Sequence, residues 1–403
     1  MIIGGGLAGA KAAEGARADG FDGRVVLIGA EADPPYERPS LSKALLRGEA
    51  DPKSTFVHDH GYYAAHDIEI VTGHAAIALD VGTRTVDVAG GTAVRFDTAV
   101  LATGATPRRL DVPGALLDGV HYLRNLDESL RLSDAIRSAS RVAVIGTGWI
   151  GTEVAASARQ MGADVTLIGP GAVPLQRVLG ADIGRMIARL HADNGVALRL
   201  GAEVAELQGA SRVEQVVLGD GRIVPADLVV VGVGVTARLD LAVQAGLRVD
   251  NGVVVDEFLE TSAPGIYAAG DIANAFHPRY GTHLRVEHWA NALNQGLTVG
   301  RNVAGQRESY ARLPYFFSDQ YDLGLEYIGH AGPDDAIVVR GDVEDRKFIA
   351  FWHLNGVVNA VLNVNVWDVA DDLKVIVNAR RPIDPLRLTD ASIALDELAR
   401  GGR

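Results

Sequence analysis

The sequence predicts an α/β fold in two similar parts, followed by an α+β domain with an antiparallel sheet. Two motifs of the form GxGxxG, at residues 4–9 and 146–151, each follow an apolar strand pattern and precede a helix pattern. From about residue 310 the pattern changes to short alternating segments, which are typical of antiparallel strands. A strand, a glycine-rich turn and a helix in this order indicate a Rossmann unit, so we expect two Rossmann-like dinucleotide-binding domains.

Composition fits this class and argues against several others. With 403 residues, the chain is longer than one hydrophobic core usually supports, so two or three domains are expected. The net charge of −13 argues against nucleic-acid binding, and no apolar run is long enough for a membrane span. Because no charged and apolar leader precedes the first motif, we expect no signal peptide and a soluble, cytoplasmic protein. The sequence does not predict the oligomeric state.

The chain contains no cysteine, which excludes disulfides, thiolate metal sites and CxxC redox pairs within it. His58 and His60 are two residues apart, but no matching ligands accompany them. We therefore predict no metal site.

The first nucleotide-binding unit begins close to Met1. Only three residues precede Gly4, and a strand is normally longer, so we expect the natural chain to start a few residues earlier. A helix pattern covers residues 10–18, and residues 24–28 form a second apolar strand. Glu31 follows at the spacing where a carboxylate meets the adenosine ribose in a Rossmann unit. The contacts predicted from the turn and this acid are Gly4, Gly6, Leu7, Ala8, Gly9 and Glu31.

A later segment, TSAPGIYAAGD at residues 261–271, places Asp271 at the end of a short apolar strand. We expect a helix to begin there, with its backbone amides close to a ligand phosphate. The structural alternative is an ordinary turn in which the aspartate caps the helix.

Taken together, these segments resemble the FAD-dependent NAD(P)H:ferredoxin reductases, the flavoproteins with two dinucleotide-binding domains that include putidaredoxin and rubredoxin reductases. The segment YERPSLSK at residues 36–43 is similar to the family's YERPPLSK, and residues 102–104 match its ATG motif. The resemblance covers essentially the whole chain. It implies that Arg38 contacts the FAD phosphates, that Lys43 lies by the flavin ring, and that Asp271 binds the ribityl chain and a phosphate.

Residues 285–292, RVEHWANA, resemble the family's helix that covers the pyrimidine end of the flavin. Trp289 is expected to stack on the ring system or meet its edge, and burial in the core is the alternative. His288 is expected to form hydrogen bonds rather than to act as an acid or base. The resemblance implies further cofactor contacts by Ala102, Thr103, Gly104, Arg124, Gly232, Gly270, Glu287, His288, Trp289 and Ala292.

The second unit repeats the first from residue 141 onward, with strands at 142–145 and 164–168 and a helix at 152–160. The resemblance implies FAD in the first unit and a nicotinamide cofactor here, bound by Gly146, Gly148, Trp149, Ile150 and Gly151. The family usually has glutamate after the strand at 164–168, but this chain has Gly169, and the nearest arginine is Arg177. We expect NADH, with NADPH as the second candidate and relaxed discrimination between them.

Glu153 lies in the first turn of the second motif's helix, where the helix dipole also favours an acid. In related reductases this glutamate pairs with the active-site lysine. The resemblance therefore implies a Lys43–Glu153 ion pair across the domain interface, which orients the nicotinamide ring and balances charge. Lys43 and Glu153 are the predicted catalytic residues.

The predicted domains are an FAD-binding domain at 1–107 and 236–309, an NAD(P)-binding domain at 108–235, and a C-terminal interface domain at 310–403. The segment at 314–322, PYFFSDQYD, is similar to the family's PWFWSDQYD, with Tyr315 and Phe317 in the tryptophan places. We expect this aromatic cluster to form interdomain core. An antiparallel meander and a final helix at 368–379 are expected to follow.

The resemblance implies a reductase that passes a hydride from NAD(P)H to FAD and then single electrons to a [2Fe–2S] ferredoxin or a rubredoxin. The partner would feed an oxygenase such as a cytochrome P450. Because the chain has no cysteine, a dithiol route is closed and electrons must leave the flavin directly. The alternative is an NADH-binding flavoprotein like apoptosis-inducing factor, which acts mainly through partner binding.

Overall fold

The computed structural model describes residues 1–59 and 61–400, which fall into two compact units. The first unit contains residues 1–38, 52–106 and 235–314. The second contains residues 39–51, residues 107–234 and the C-terminal part from residue 315. Residues 39–51 thus pack with the second glycine motif rather than with the first. The boundaries of three domains stay a prediction.

A five-stranded parallel sheet forms the centre of the first unit. The inner strands Ala99–Leu101 and Val25–Ile28 are buried throughout, as expected for a parallel sheet that is covered on both faces. In spatial order the strands are Ile266–Ala268, Ala99–Leu101, Ile2–Ile3, Val25–Ile28 and Ile68–Val71.

Two helices of the first unit, Leu7–Ala18 and Trp289–Val303, approach each other closely at small residues. A Cβ at Gly300 would lie only 2.3 Å from the carbonyl oxygen of Ala12, so this position has no room for a side chain. A Cβ at Gly296 would likewise lie 2.5 Å from the carbonyl oxygen of Ala8, so the close contact extends to the start of the first helix, which carries the end of the first glycine motif.

Smaller elements complete the first unit. Its short helices are Tyr62–Ala65 and Asp240–Gln244, with 3-10 turns at Pro52–Thr55 and Gly270–Ile272. Its two further sheets are formed by the strands Ala76–Asp80, Thr85–Val88 and Thr92–Arg95, and by the strands Val253–Val255, Ala273–His277 and Thr282–Leu284. The strands Ala105–Pro107 and Val235–Ala237, which pair with each other, lie where the chain passes from one unit to the other.

The second unit repeats the five-stranded parallel sheet. In spatial order its strands are Ala197–Leu200, Asp164–Gly169, Arg141–Ile145, Leu228–Val231 and Val120–Tyr122. An antiparallel sheet adds the strands Val204–Gln208, Gln215–Leu218 and Ile223–Pro225. The helices are Ala44–Arg47, Leu126–Ser138, Trp149–Gln160 and Gln176–Asp193, the last with a kink at Gly180, and Pro39–Ser42 forms a 3-10 turn.

The C-terminal sheet of the second unit is fully antiparallel but is not a simple meander. Its spatial order is Tyr315–Gln320, Leu323–Gly329, Val357–Val364, Lys347–Leu354 and Ala336–Asp342. The third strand in sequence therefore lies at the far edge, because the last strand inserts beside the second. The helix predicted as final is Ala370–Ala379, and two more helices follow it, Pro385–Thr389 and Leu395–Arg400.

The aromatic segment at the start of this sheet alternates between the two faces of its strand. Phe316 is buried in a hydrophobic core of the second unit that includes the helix Gln176–Asp193. Tyr315 and Phe317 are only partly buried, as alternation along a strand requires. Within this unit Phe316 is buried in the core and Tyr321 packs against it, while the role of the segment as interdomain core stays a prediction.

The predicted α/β class, with two Rossmann-like parts and an antiparallel C-terminal sheet, is confirmed. Both glycine-motif helices begin three residues earlier than predicted, at Leu7 and Trp149, because the last residues of each motif already adopt helical conformation. Across residues 1–59 and 61–400, no helix combines the length and the apolar character that a membrane span needs.

Candidate functional site

The first glycine turn is shaped by a close backbone approach. Gly4 has φ +130, and a Cβ there would lie 2.1 Å from the carbonyl oxygen of Ala102. Gly6 differs, because no atom lies within 4 Å of the place where its Cβ would be. The turn is thus tight on its inner side and open at Gly6, where the backbone can meet a ligand.

The second glycine turn has the same geometry. Gly146 has φ +115, and its Cβ would lie 2.2 Å from the carbonyl oxygen of Gly232. A Cβ at Gly151 would lie 1.9 Å from the carbonyl oxygen of Gly146, whereas Gly148 is open. Both turns lead into the N-terminus of a helix, so each forms a cradle that fits the pyrophosphate of a dinucleotide.

Three predicted contacts of the first unit come together around Gly270. This residue has φ +81, and its Cβ would lie 3.0 Å from the Cβ of Ala8 and 3.7 Å from that of Ala292. Its backbone N–H donates to Gln295 Oε1 at 2.9 Å. The open side of the first cradle and the start of the helix Trp289–Val303 are therefore neighbours.

The surroundings of Asp271 differ from the prediction. Asp271 lies in a single 3-10 turn, Gly270–Ile272, and the chain continues directly into the strand Ala273–His277. That strand pairs with Val253–Val255, and because its backbone is extended in this pairing, a helix cannot continue from Asp271. The expected helix N-terminus is therefore wrong, and so is the structural alternative in which Asp271 caps a helix.

Glu31 and Arg38, both predicted FAD contacts, form an ion pair. Arg38 Nη2 donates to Glu31 Oε1 at 2.8 Å, and the Tyr36 hydroxyl donates to Glu31 Oε2. Burial by itself would raise the pKa of Glu31, but Arg38 and Tyr36 together hold it below its usual value. Burial lowers the pKa of Arg38, and Tyr36, Glu31 and Asp271 outweigh that effect and raise it. A charged pair is thus preformed, with Asp271 in electrostatic reach.

Other predicted residues of the first unit have structural contacts of their own. The Thr103 hydroxyl donates to the carbonyl oxygen of Arg238 at 3.2 Å. Glu287 pairs with Arg285 at 2.5 Å, and Arg285 also donates to the carbonyl oxygen of Asp271. His288 and Trp289 are the capping residue and the first residue of the helix Trp289–Val303. The roles of Thr103, Gly104, Glu287, His288 and Trp289 towards a cofactor stay predictions.

In the second unit, Lys43 and Glu153 form the ion pair that was predicted. Lys43 Nζ lies 2.8 Å from Glu153 Oε2, and only 13% and 5% of the two side chains are exposed. Lys43 lies between the 3-10 turn Pro39–Ser42 and the short helix Ala44–Arg47, while Glu153 is in the helix Trp149–Gln160. Both residues belong to the same compact unit, so in the structure this pair does not cross a boundary between units.

Two serines that the sequence analysis did not select complete the surroundings of Glu153. The Ser42 hydroxyl donates to Glu153 Oε2 at 2.5 Å, and the Ser318 hydroxyl donates to Oε1 at 2.6 Å. Both lie within motifs that were noticed, YERPSLSK and PYFFSDQYD, but nothing in the residue pattern indicates that they share a partner. Three donors compensate for the desolvation of the buried carboxylate.

The electrostatics beside this pair include a second acid. Burial raises the pKa of Asp319; Lys43 opposes this effect, and Glu153 and Glu326 add to it. The Lys43 ammonium also lies 5.8 Å from the centre of the Phe317 ring, a favourable cation–π distance. Lys43 thus places a positive charge beside the acids Glu153 and Asp319 and the Phe317 ring.

Gly169, which stands where the family usually has glutamate, is packed against Thr147 of the second glycine turn. A Cβ at Gly169 would lie 2.6 Å from Thr147 Cγ2 and 2.8 Å from Thr147 Oγ1. The threonine side chain therefore fills the place that a longer residue at position 169 would need.

The remaining predictions concern Arg124 and the histidine pair. The backbone N–H of Arg124 donates to Glu128 Oε2, just before the helix Leu126–Ser138, and its role towards a cofactor stays a prediction. His58 lies 3.1 Å from Glu14, while His60 is outside the described residues. In the part of the chain that the structure describes, no group of three or more His, Cys, Asp or Glu side chains could hold a metal ion.

Comparison with known protein families matches this chain over nearly its whole length. Residues 1–296 match the model of the pyridine nucleotide-disulphide oxidoreductases, and residues 315–399 match the reductase C-terminal domain.

Individual relatives match over almost their full length. Rhodocoxin reductase of Rhodococcus erythropolis is 37% identical over 98% of this chain and 93% of the relative. The ferredoxin–NAD(+) reductase component of the anthranilate 1,2-dioxygenase system of Burkholderia cepacia is 37% identical over 98% of both chains. The crystal structure of a covalent putidaredoxin reductase–putidaredoxin complex matches with a TM-score of 0.95 and 34% identity, over 100% of this chain and 98% of the other.

The relatives named here are reductases, and they match this chain over nearly their full length. The chain itself contains two glycine cradles, the charged pair Glu31–Arg38 and the buried pair Lys43–Glu153. The chain is an oxidoreductase that belongs to the pyridine nucleotide-disulphide oxidoreductases, and within them to the ferredoxin reductases that resemble putidaredoxin reductase.

Proposed function

We propose that this protein is an NAD(P)H-dependent ferredoxin reductase that uses FAD and supplies electrons to an oxygenase system. The observation that carries the proposal is the buried Lys43–Glu153 pair beside the second dinucleotide cradle, in a chain without cysteine. A disulphide-reducing member of the family would need a cysteine pair near the flavin, so these residues support direct electron exit from the cofactor.

FAD, when bound, accepts a hydride from the nicotinamide and releases the electrons one at a time. The first cradle fits its pyrophosphate, with Gly6 open for the approach of the phosphate oxygens. The Arg38 guanidinium would neutralise phosphate charge, and Glu31, which already accepts from Arg38, would bind the adenosine ribose. Asp271, in its 3-10 turn, would bind the ribityl hydroxyls.

The second cradle would hold the nicotinamide cofactor, with the pyrophosphate at the start of the helix Trp149–Gln160. Glu153 keeps the Lys43 ammonium in place, and the pair would orient the nicotinamide ring for transfer. Holding two reacting groups in a fixed geometry is the main contribution that a protein makes to a transfer of this kind. Hydride transfer itself needs no proton donor from the chain.

The preference between NADH and NADPH is part of this proposal. A carboxylate at the end of the second strand normally binds the ribose 2′-hydroxyl and repels a 2′-phosphate. Gly169 provides neither effect, and the Thr147 side chain occupies the space beside it. We therefore propose that NADH is used, with weak discrimination against NADPH.

The electron acceptor would be a [2Fe–2S] ferredoxin or a rubredoxin in the cytoplasm. Relatives named as ferredoxin reductases and the covalent complex of one of them with putidaredoxin support this class of acceptor. Because this chain has a net charge of −13 and ferredoxins are typically acidic, docking would need a local basic patch, for which Arg301, Arg307 and Arg312 are candidates. Arg301 already pairs with Asp19 and Glu308, which weakens its candidacy.

The experiment mixes the FAD-loaded protein with NADH and a purified [2Fe–2S] ferredoxin and follows the visible band of the iron–sulfur cluster. The proposal predicts catalytic bleaching of the ferredoxin at a rate that falls as salt rises. Slow flavin reduction, a long-lived charge-transfer band and no ferredoxin reduction would instead indicate a flavoprotein that acts mainly by binding partners.

A further inference from the structure

A series of buried polar side chains extends from Glu153 through the interior of the second unit. Ser318, which donates to Glu153 Oε1, lies 3.3 Å from Gln320 Nε2, and Gln320 Oε1 lies 3.0 Å from His191 Nε2. His191 Nδ1 is 3.5 Å from the Tyr321 hydroxyl. Ser318, Gln320 and His191 are each at most 1% exposed. These contacts link the helix Gln176–Asp193 to the catalytic carboxylate.

The donors and acceptors of these side chains fix the direction of each hydrogen bond in the series. Gln320 Nε2 donates both to Ser318 Oγ and to Thr152 Oγ1, so its Oε1 is the acceptor that faces His191. A carbonyl oxygen accepts only, and therefore His191 carries its proton on Nε2. Its Nδ1 is then an acceptor, and it can accept a hydrogen bond from the Tyr321 hydroxyl.

His191 stays neutral in this position. Burial lowers its pKa to about 4, against a smaller opposite effect of the hydrogen bond to Gln320. The neutral ring with its proton on Nε2 fixes the orientation of the Gln320 amide. One N–H of the amide in turn donates to Ser318 Oγ, so that the serine hydroxyl proton is left to donate to Glu153.

The other tautomer would reverse the arrangement. With the proton on Nδ1, His191 Nε2 would accept from the Gln320 amide, and Gln320 Oε1 would face Ser318 and Thr152. Ser318 would then donate to Gln320 instead of Glu153. One oxygen of a nearly fully buried carboxylate would lose its donor, which is a costly arrangement and would loosen the carboxylate that holds Lys43.

We infer that His191, acting through Gln320 and Ser318, is a positioning residue for the Lys43–Glu153 pair. The inference rests on the proposed function, because it is the proposed role of that pair in hydride transfer that gives its positioning a purpose. His191 hydrogen-bonds to Gln320 rather than to the pair itself, and it acts through the orientation that it imposes on the Gln320 amide.

The test measures how tightly Lys43 is held, by trace acetylation of the FAD-loaded full chain and mass spectrometry, with the exposed Lys347 as internal standard. The variants His191→Phe and Gln320→Met remove the relay. Each should raise the relative acetylation of Lys43 about fivefold, the effect of losing one net hydrogen bond. In His191→Gln the amide N–H lies as many bonds from Cα as the imidazole Nε2–H does, so it can still donate to Gln320 Oε1. This variant should therefore keep the slow acetylation of the wild type.

The matched control is Ser129→Ala. The Ser129 hydroxyl is equally buried and donates to the carbonyl oxygen of Leu41 at 2.7 Å, so it supports the segment that carries Lys43 without touching Glu153. It should leave Lys43 acetylation within about twofold of wild type. An increase as large as that of Gln320→Met, or no increase in His191→Phe, would overturn the inference, as would failure of His191→Gln to restore slow acetylation.

A second measurement determines the tautomer in the wild-type protein and uses one folded variant only to assign the signals. Nitrogen-15 NMR of histidine-labelled wild-type protein should show one ring protonated on Nε2 and unchanged between pH 5 and 8, and assignable by its loss in His191→Phe or His191→Gln. A proton on Nδ1 of the His191 ring, the ring whose signals are lost in the variant, would overturn the inference. Acetylation and tautomer are both read without turnover, so failure of the protein to react with NAD(P)H would refute the proposed function and leave this result standing on its own.

Discussion

Lys43 Nζ lies 2.8 Å from Glu153 Oε2 and shares that oxygen with the Ser42 hydroxyl. The lysine comes from the segment at residues 39–51, which packs with the second unit although it follows the first glycine motif in sequence. The segment is attached at several points, including bonds from Ser129 to Leu41 and from Ser157 to the carbonyl oxygen of Ser42. The second unit thus contains both members of the proposed catalytic pair.

Breaking this pair is expected to affect stability and catalysis differently. Lys43→Met leaves Glu153 buried without its cation and should lower the free energy of unfolding by about 3–5 kcal/mol. It should also slow flavin reduction by about 100-fold, because the nicotinamide ring is no longer held in the position needed for hydride transfer to the flavin. Chemical denaturation and stopped-flow absorbance measure the two effects.

The double variant Lys43→Met/Glu153→Met is the control. It replaces the pair by two apolar side chains and should recover most of the lost stability. Flavin reduction should stay as slow as in the single variant. Wild-type reduction rates in both variants would remove the pair from the mechanism.

Acid is expected to weaken FAD retention through Glu31. Its folded pKa lies below the usual value of 4.5, because Arg38 and Tyr36 outweigh the effect of burial. The stabilising contribution is therefore complete above pH 4.5 and is lost as pH falls through the lower folded pKa. FAD release, followed by ultrafiltration, should rise in that range.

Glu31→Gln serves as the matched variant for this prediction. It cannot titrate, so FAD release should already be raised at pH 7 and should change less between pH 5 and 3 than in the wild type. An identical pH profile for the two proteins would show that the Glu31–Arg38 pair does not govern FAD retention.

The local structure at Gly169 predicts how coenzyme preference can be changed. Gly169→Glu alone should be poorly tolerated, because its Cβ would lie 2.6 Å from Thr147 Cγ2. With Thr147→Ala the two closest atoms, Cγ2 and Oγ1, are gone and only the Cβ at 3.2 Å remains, so the new carboxylate should reach the ribose. The double variant should favour NADH over NADPH by at least about tenfold more than the wild type, as measured by kcat/KM.

The control is Thr147→Ala by itself, which should keep the weak discrimination of the wild type. An unchanged preference in a well-folded double variant would show that the end of this strand does not contact the ribose.

His191 predicts a second pH effect, on stability. Its pKa falls from 6.5 in the unfolded chain to about 4 in the folded protein, because the ring is buried. The unfolded chain thus binds a proton that the folded protein does not, and stability is lost as pH falls from 6.5 towards 4. The difference corresponds to about 3 kcal/mol.

Urea denaturation of wild type and His191→Gln at pH 7, 5.5 and 4.5 measures this contribution, since other acids titrate alike in both proteins. The difference in the free energy of unfolding between wild type and His191→Gln should become smaller as the pH falls. Parallel curves would place His191 in a more solvated environment than the structure describes.

The sequence predicted the parallel sheets well because their strands are short apolar runs directly beside glycine turns. The strands predicted at 142–145 and 164–168 are observed at Arg141–Ile145 and Asp164–Gly169, and the Lys43–Glu153 pair follows from motifs that a family resemblance connects. Asp271 shows the limit of local patterns. The strand Ala273–His277 depends on pairing with Val253–Val255, a distant segment that gives no signal near Gly270.

Hydrogen bonds between residues far apart in the sequence could not be predicted for the same reason. Gln320 and His191 are 129 residues apart, and neither stands in a pattern that suggests the other. The position of the last C-terminal strand depends equally on which strand it meets in space. By contrast, the helix Pro385–Thr389 had a readable signal, because Asp384 and Pro385 form a capping residue followed by a proline in the first turn.

The most direct test of the central claim is an anaerobic stopped-flow mix of the FAD-loaded protein with NADH and, separately, with NADPH, following the visible flavin band. We expect fast bleaching with NADH, bleaching with NADPH at a comparable rate, and slow bleaching with both in Glu153→Gln. A protein that cannot be loaded with FAD, or a flavin that neither coenzyme reduces on the time scale of turnover, would contradict it.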